Sequence, residues 1–388
     1  MVFMGEKNSK ESRKDVRTFA FASFLNDMGS DMIYPIWPLF VTVVLNANMA
    51  ILGLIDGLGD AIVSISQAAS GYVSDRTRKR KVFIWTGYLF GSLSRIGYAF
   101  SSVWEHLIPF RILDRAGKMR GAPRDAMIAD ESTNENRGRN FGLLRTMDNL
   151  GAFIGIMICI IFIGILGYRE LFLIATIPSV IAVLLVLSMI KEKKPPKGKI
   201  YKGFSFRGMD KNFKLFILLS AFFALGSFSY SFLLIYASRF GFQVQFVPVL
   251  YLIFTVVASI FSLPFGKLAD RIGRKPVLLM SYFFWAVVCL GFILFQSYPA
   301  IIIIFIFYGL NQGAIAPVQA TFVSELSPEK YRASGLGTYR MIIGLCALPS
   351  SLIAGLLWDS IEMMVPLYLS LALTIAAGIM LLFVREKR

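Results

Sequence analysis

The sequence predicts an all-α membrane protein, with twelve transmembrane helices arranged as two pseudo-symmetric six-helix bundles. Three observations lead to this fold class: an apolar composition, an alternating distribution of basic residues, and a motif that recurs about half a chain length later. Of the 388 residues, 56% are hydrophobic and only 16% are charged. A water-soluble fold of this length could not bury so much apolar surface, whereas a fold that faces lipid does not need to.

Composition also excludes several classes of protein. The three cysteines, Cys159, Cys289 and Cys346, all lie in apolar runs, so the chain is not a disulfide-stabilised scaffold. His106 is the only histidine, which argues against a histidine metal site and against a Ser-His-Asp hydrolase. We therefore expect no enzymatic activity, no cofactor and no bound metal.

Twelve apolar stretches are each long enough to cross a bilayer, which takes about 20 residues. They lie at 17–45, 50–74, 82–101, 104–130, 139–166, 168–190, 211–238, 246–269, 277–296, 299–325, 332–356 and 363–384. The fourth stretch is crowded with charge, and it is included because the alternation of basic residues requires it.

Basic residues fill every second gap between these stretches. Five precede the first stretch, five lie at 76–81 after the second, and nine lie in the central gap 191–214. Intervening gaps such as 46–49 and 296–299 contain none. By the positive-inside rule, we expect a multi-pass protein of the cytoplasmic membrane with both termini in the cytoplasm. The net charge of +16 then reflects topology, and we expect no nucleic-acid partner.

A motif between the second and third stretches recurs between the eighth and ninth. The first copy contains Gly71, Asp75, Arg76 and Arg80, and the second contains Gly266, Asp270, Arg271 and Arg274. The two aspartates are 195 positions apart, since 270 − 75 = 195, and nearly the same offset relates Glu131 to Glu325. Duplicated halves are typical of secondary transporters. We therefore expect an N-terminal bundle at 1–190, a cytoplasmic linker at 191–214 and a C-terminal bundle at 215–388.

Both copies of this motif resemble the signature loop of the major facilitator superfamily, G-x-x-x-D-R followed by a basic cluster. The resemblance covers essentially the whole chain and implies the twelve-helix fold of that superfamily. It also implies a transporter that works by alternating access, in which the motif is a charge lock between the halves that favours the outward-open state.

The first helix has a resemblance of its own. Met28, Gly29, Ile33, Pro35 and Pro38 follow a pattern similar to that of drug/proton antiporters of the tetracycline-exporter type. The resemblance implies that this helix lines the central cavity and that an acidic residue on it couples transport to protons.

Asp27 and Asp31 are the candidate proton-coupling pair. They are spaced i,i+4 and therefore lie on one helix face, while the antiporter pattern has its acidic residue one position earlier, at Asn26. A charged residue in the hydrocarbon costs about 2.5–3.5 kcal/mol, so the pair needs a reason to be there. Because two carboxylates one turn apart repel each other, we expect them to bind a proton as a unit.

Further charged and polar residues are candidates for the substrate cavity. On the fourth and fifth stretches these are Arg111, Asp114, Arg115, Lys118, Asp125, Arg145 and Asp148. They either contact the substrate or form structural ion pairs between two helices, since buried charges survive mainly when paired. In the C-terminal half the candidates are Tyr230, Asn311, Gln312, Gln319 and Arg340. Asp56 and Asp60, near the outer end of the second stretch, fit a functional pair and solvated residues equally well.

Together these features predict a secondary active transporter that moves a small organic solute, with proton-coupled export (antiport) as the first expectation. Proton- or ion-coupled uptake and uniport stay open as alternatives, and a membrane receptor without transport is a third. The arginine-rich stretches allow an anionic or zwitterionic solute, whereas the acidic first helix allows a cation. The expected partners are the small-molecule substrate, protons and the lipid bilayer, and we expect a monomer.

Overall fold

The protein is entirely helical over the residues that the computed structural model describes, which are 2–133, 135–192, 210–327 and 332–386. Most of the predicted linker, 193–209, lies outside these residues. The helices are α1 (Val2–Asp31), α2 (Trp37–Leu39), α3 (Met49–Thr77), α4 (Lys81–Phe100), α5 (Leu107–Ala116), α6 (Gly121–Asp130), α7 (Arg137–Leu166), α8 (Tyr168–Met189), α9 (Lys211–Gly226), α10 (Tyr230–Arg239), α11 (Val247–Ile272), α12 (Arg274–Leu294), α13 (Tyr298–Leu326), α14 (Arg332–Ser360) and α15 (Val365–Leu382).

Within the described residues, nine helical segments are long and apolar enough to cross a membrane. They correspond to α3, α7, α8, the pair α9 and α10, and each of α11 to α15. The other three predicted stretches correspond to α1, to α4, and to α5 together with α6, which carry more polar residues. A multi-pass membrane protein therefore follows, while the number twelve stays a prediction.

Two predicted stretches contain breaks. In the first, α1 ends at Asp31, because Pro35 and Pro38 have no N–H to continue the helical ladder. In the fourth, a 3-10 turn at Gly117–Arg120 separates α5 from α6. This turn touches the backbone of α4 directly: a Cβ atom on Gly117 would lie 2.6 Å from the Gly87 carbonyl oxygen. Only glycine permits this approach.

The first packing unit comprises residues 1–36 and 62–200. Its apolar core includes Phe19 of α1, Tyr88 of α4, Leu144 of α7 and Ala182 of α8, all of them fully buried. Helix α7 approaches α1 closely at Gly151 and Gly155, where added Cβ atoms would collide with the backbone around Phe24 and Met28. Small residues allow such close packing of membrane helices.

The second packing unit comprises residues 37–61 and 201–388. Gly309 and Gly313 of α13 lie directly against the α11 backbone at Phe254 and Ala258. Helix α9 ends at Gly226, and α10 starts at Tyr230 with the Ser229 side chain capping its N-terminus. This interrupted helix is the kind of element that carries polar sites in transporters.

Candidate functional site

The charged residues predicted on the fourth stretch lie mostly in the interior of the first unit. Arg111, Asp114 and Arg115 are buried, with exposures of 2%, 7% and 8%. Lys118 is half-buried. Arg115 donates a 3.4 Å hydrogen bond to the Tyr34 hydroxyl of the segment after α1, and its guanidinium lies 5.1 Å from the ring centre. The amine of Lys118 is 5.9 Å from the same ring, so two cations surround one tyrosine.

A second charged cluster is centred on Arg124, which is 7% exposed. The Arg124 guanidinium donates to Ser23 Oγ of α1 at 2.6 Å, pairs with Asp125 at 3.0 Å and lies 4.0 Å from Asp148 of α7. The exposed Arg145 lies 3.3 Å from Asp148 and 3.8 Å from Asp125. These contacts tie α1, α6 and α7 together, as the ion-pair alternative for these residues predicts.

The two predicted coupling carboxylates lie on the face of α1 beside these clusters, and both are half-buried. Asp27 is 3.9 Å from the Arg120 guanidinium and accepts a 3.1 Å hydrogen bond from the Asn26 amide. Asp31 lies one helical turn further along. Arg120 in turn lies over the Tyr88 ring at 4.9 Å, so a cation that the sequence did not single out is the printed ion-pair partner of Asp27.

Arg95 of α4 was also missed by sequence reasoning. It is 2% exposed and donates to the Asn26 carbonyl at 3.2 Å and to Ser30 Oγ at 2.9 Å, which precede Asp27 and Asp31 directly. It also donates to the Ala175 carbonyl of α8 at 2.8 Å. A guanidinium with five donors suits this role, and it fixes α1 against α4 and α8 where the carboxylates are carried.

The first copy of the loop motif forms a compact charge network. Arg80 donates to Asp75 at 2.9 Å and to Asp130, at the end of α6, at 2.5 Å. Burial alone lowers the pKa of the Arg80 guanidinium, but its hydrogen bonds to these two carboxylates outweigh burial and raise the pKa above its usual value. The exposed Arg76 lies 3.4 Å from the Tyr72 hydroxyl. The printed side-chain ion pairs of Arg80 therefore stay within the first unit.

The second copy repeats this network in the second unit. Arg274 pairs with Asp270 at 2.6 Å and with Glu325 of α13 at 3.0 Å. The counterpart of Glu325 is thus Asp130, since 325 − 130 = 195, and the alignment of Glu325 with Glu131 was wrong by one residue. Glu131 instead accepts a hydrogen bond from Ser12.

The remaining motif residues differ between the copies. A Cβ atom on Gly71 would lie 3.5 Å from Ala122 of α6, whereas no described atom would lie within 4 Å of one on Gly266. Arg271, like Arg76, is exposed.

Two glutamates complete the network, and the sequence did not reveal them. Glu192 accepts hydrogen bonds from the backbone N–H groups of Arg80 and Lys81, at 2.8 and 2.9 Å. Glu386 accepts from the corresponding groups of Arg274 and Lys275. Each carboxylate sits at the N-terminus of a helix, α4 or α12, where the helix dipole favours negative charge. Their spacing, 386 − 192 = 194, was the signal that could have identified them.

The polar candidates of the C-terminal half do not form one cluster. Asn311 is 1% exposed and donates to the Ser281 carbonyl at 2.9 Å, and Gln312 donates to Asn311 at 3.1 Å. Gln319 is half-buried and Arg340 is exposed. Asn311 therefore has a structural role between α12 and α13.

Tyr230 belongs to an aromatic group that composition could not reveal, because aromatic residues are frequent throughout the chain. Its ring centre lies 5.3 Å from Tyr251 and 6.3 Å from Phe254. Phe254 contacts Tyr308 at 4.9 Å. The second unit thus presents stacked and edge-on rings where the first unit presents charges.

Asp56 is the most informative residue whose role the sequence left open. It is 2% exposed and accepts three hydrogen bonds: from Trp37 Nε1 at 2.9 Å, Ser229 Oγ at 2.8 Å and Ser231 Oγ at 2.5 Å. Both serines lie at the N-terminus of α10, which adds a favourable dipole. Asp60, by contrast, is exposed. Of the two readings of Asp56, the solvated one is wrong.

The helix that carries Asp56 packs tightly within the second unit. Asp359 of α14 accepts hydrogen bonds from the backbone N–H groups of Met49 and Ala50, at 3.2 and 2.7 Å. Cβ atoms on Gly53 and Gly355 would collide with backbone atoms of α14 and α3, respectively. Residues 49–57 are thus held by a cap, close backbone contacts and the hydrogen bonds of Asp56.

Comparison with known proteins agrees with this architecture. A family model described as Major Facilitator Superfamily matches residues 19–258 and 214–388. An uncharacterized MFS-type transporter of Methanocaldococcus jannaschii is 40% identical over 388 residues, covering 97% of this chain and 96% of that protein. Multidrug resistance protein 1 of Bacillus subtilis is 25% identical over 92% of both chains. The crystal structure of the nucleoside transporter NupG has a TM-score of 0.82 at 14% identity, covering 96% of this chain and 100% of that one.

Proposed function

Because the chain belongs to the major facilitator superfamily and is a multi-pass membrane transporter of that superfamily, we propose that it exports a small organic solute in exchange for protons. The observation that carries the proposal is the half-buried Asp27 beside Arg120 and the Arg124 cluster. Buried charges are costly in a membrane and usually mark ion pathways. The proposal places the protein in the cytoplasmic membrane with both termini in the cytoplasm.

Proton coupling acts through the charge balance of this site. A proton on Asp27 removes its attraction to Arg120, which lies 3.9 Å away, and release of the proton restores it. Arg95 holds the backbone before Asp27 and Asp31 in place, so the change in charge acts on α5 and α6 rather than deforming α1. The coupling unit is the pair Asp27 and Asp31, which share one helix face.

Alternating access requires a contact that closes one side and can open. Residues 37–61 supply it: Asp56 joins Trp37 to the start of α10, and Asp359 caps α3. With both termini in the cytoplasm, the start of α3 lies on the outer side, so this cluster closes the outer entrance. The loop network around Arg80 and its repeat around Arg274 lie on the inner side.

Export is favoured over uptake by the similarity to Multidrug resistance protein 1, which supports an efflux role. The rings around Tyr230 and Tyr308 provide apolar contacts for an organic solute, and the cations around Tyr34 provide contacts for a polar group. Proton-coupled uptake and uniport are the alternatives, and imposed pH gradients distinguish them.

The test uses purified protein in liposomes that contain the pH dye pyranine. Solutes are first selected by their ability to raise the melting temperature in detergent, because a ligand that binds the folded state stabilises it. We expect accumulation driven by a pH gradient in wild type, and its loss in the double variant Asp27→Asn/Asp31→Asn with exchange down the solute gradient retained. Glu105→Gln, a change at an exposed carboxylate, is the control. Undiminished proton-driven accumulation in the double variant would contradict the coupling assignment.

A further inference from the structure

A groove lies beside the first described side chains of α1, where that helix meets the end of α8. It has a volume of about 460 Å³, within the roughly 300–1,000 Å³ of ligand sites. Its basic wall consists of Arg13, Lys14 and Arg17, and its apolar wall of Phe21, Leu185 and Met189. Thr18 also borders the groove and donates its hydroxyl hydrogen to the Lys14 carbonyl.

The two walls follow from helical spacing. Arg13, Arg17 and Phe21 are spaced i, i+4, i+8 and stack along one face of α1, while Leu185 and Met189 are one turn apart on α8. At 1.5 Å per residue, the face changes from cationic to aromatic over about 12 Å. A bilayer changes from headgroups to acyl chains over a similar distance at its interface.

The charge of the groove is unbalanced. Arg13, Lys14 and Arg17 are all exposed, and no acidic residue is among the described residues that line the groove. Asp15, which lies between these bases in sequence, is only 4% exposed and is not part of the lining. Three exposed cations of one sign attract an anion, and the apolar wall below them favours one that carries hydrocarbon.

We propose that this groove binds the headgroup of an anionic phospholipid, in the leaflet on the side of the N-terminus. Arg13, Lys14 and Arg17 contact the phosphate, and Phe21, Leu185 and Met189 contact the first carbons of the acyl chains. Basic pockets between transmembrane helices are known to suit anionic lipid headgroups. A free inorganic anion would use the basic wall but has no need of the apolar one.

The test is native mass spectrometry of the purified full-length protein, titrated with dioleoylphosphatidylglycerol. The groove variant is Arg13→Gln/Lys14→Gln/Arg17→Gln. The matched control is Arg137→Gln/Arg139→Gln/Lys191→Gln, which removes the same charge from exposed positions of the same unit outside the groove. Gel filtration and the melting temperature without lipid establish that both variants are folded.

For the first bound lipid, we expect the groove variant to need at least ten times more phosphatidylglycerol than wild type or the control variant. Phe21→Ala should weaken binding of this lipid severalfold without any change of charge. Dioleoylphosphatidylcholine should not compete, and millimolar inorganic phosphate should not displace the lipid. Equal losses in the two triple variants, equal binding of phosphatidylcholine, or displacement by phosphate would each overturn the proposal.

Discussion

The hydrogen bonds of Asp56 lead to a quantitative prediction about the outer entrance. Replacing Asp56 with alanine removes three hydrogen bonds, from Trp37, Ser229 and Ser231. When the contact opens, each of these groups can bond to water instead, so the net value is about 1 kcal/mol per bond. The closed state should lose about 3 kcal/mol relative to the open state, which corresponds to a roughly 100-fold shift in their ratio. Asp56→Asn keeps one acceptor oxygen and should shift the ratio less.

The assay is the reaction rate of a reporter cysteine with a membrane-impermeant maleimide applied from outside. Leu52→Cys is a suitable reporter, because Leu52 of α3 is fully buried and lies next to Gly53 in the close contact with α14. The background is a variant without the three native cysteines. Since a buried thiol reacts only in the open state, its rate should rise with the open population.

Glu362→Ala is the control, because this glutamate is exposed beyond the end of α14 and has no printed side-chain bond. Labelling of the Asp56→Ala protein within twofold of the control, in a variant that elutes as a folded monodisperse protein, would refute the reasoning. Faster labelling in both variants would show that general loosening, not loss of the Asp56 bonds, opens the entrance.

Two further predictions follow from the loop network and from the packing of α1. Asp75→Asn should reduce turnover more than Asp270→Asn, because the Asp75 side chain is 43% exposed and that of Asp270 is 67% exposed; equal rates for the two variants in counterflow would contradict this. Gly155→Ala should lower the melting temperature by the equivalent of about 1–3 kcal/mol of overpacking, since its Cβ would collide with the Met28 carbonyl. Gly142→Ala on the same helix, with no described atom within 4 Å of the new Cβ, should be neutral or slightly stabilising, and a similar loss in both variants would mean that close packing is not the cause.

The features that sequence predicted well are those that depend on local pattern. Apolar length located the membrane helices, and the repeat of Asp75 at Asp270 predicted a network that the structure places in both units. The spacing of Arg145 and Asp148 predicted their ion pair. In each case the residues concerned are neighbours on one helix or copies at a fixed offset, so a one-dimensional pattern contains the information.

Contacts between distant helices were less accessible, and Arg120 and Arg95 illustrate the reason. Both are single basic residues in charged or apolar surroundings, and nothing in the spacing indicates which helix they face. Arg120 came to lie beside Asp27 only because the 3-10 turn before α6 rotates the helix face. Breaks of this kind depend on backbone packing, here of Gly87 against Gly117, and period-based reasoning assumes a continuous helix.

Asp56 shows a further limit, since its burial depends on two breaks at once. The chain must turn after Asp31 to bring Trp37 beside α3, and α9 must end at Gly226 so that Ser229 and Ser231 are presented at a helix start. Both breaks have local causes, a pair of prolines in one case and a serine cap in the other. Only their combination gives a carboxylate three donors, and this makes the segment 37–61 a separable contact rather than a permanent part of a core. A hydrogen-bonded charge can exchange its partners for water, whereas buried apolar surface cannot, so a contact built around Asp56 suits an entrance that must open in every cycle.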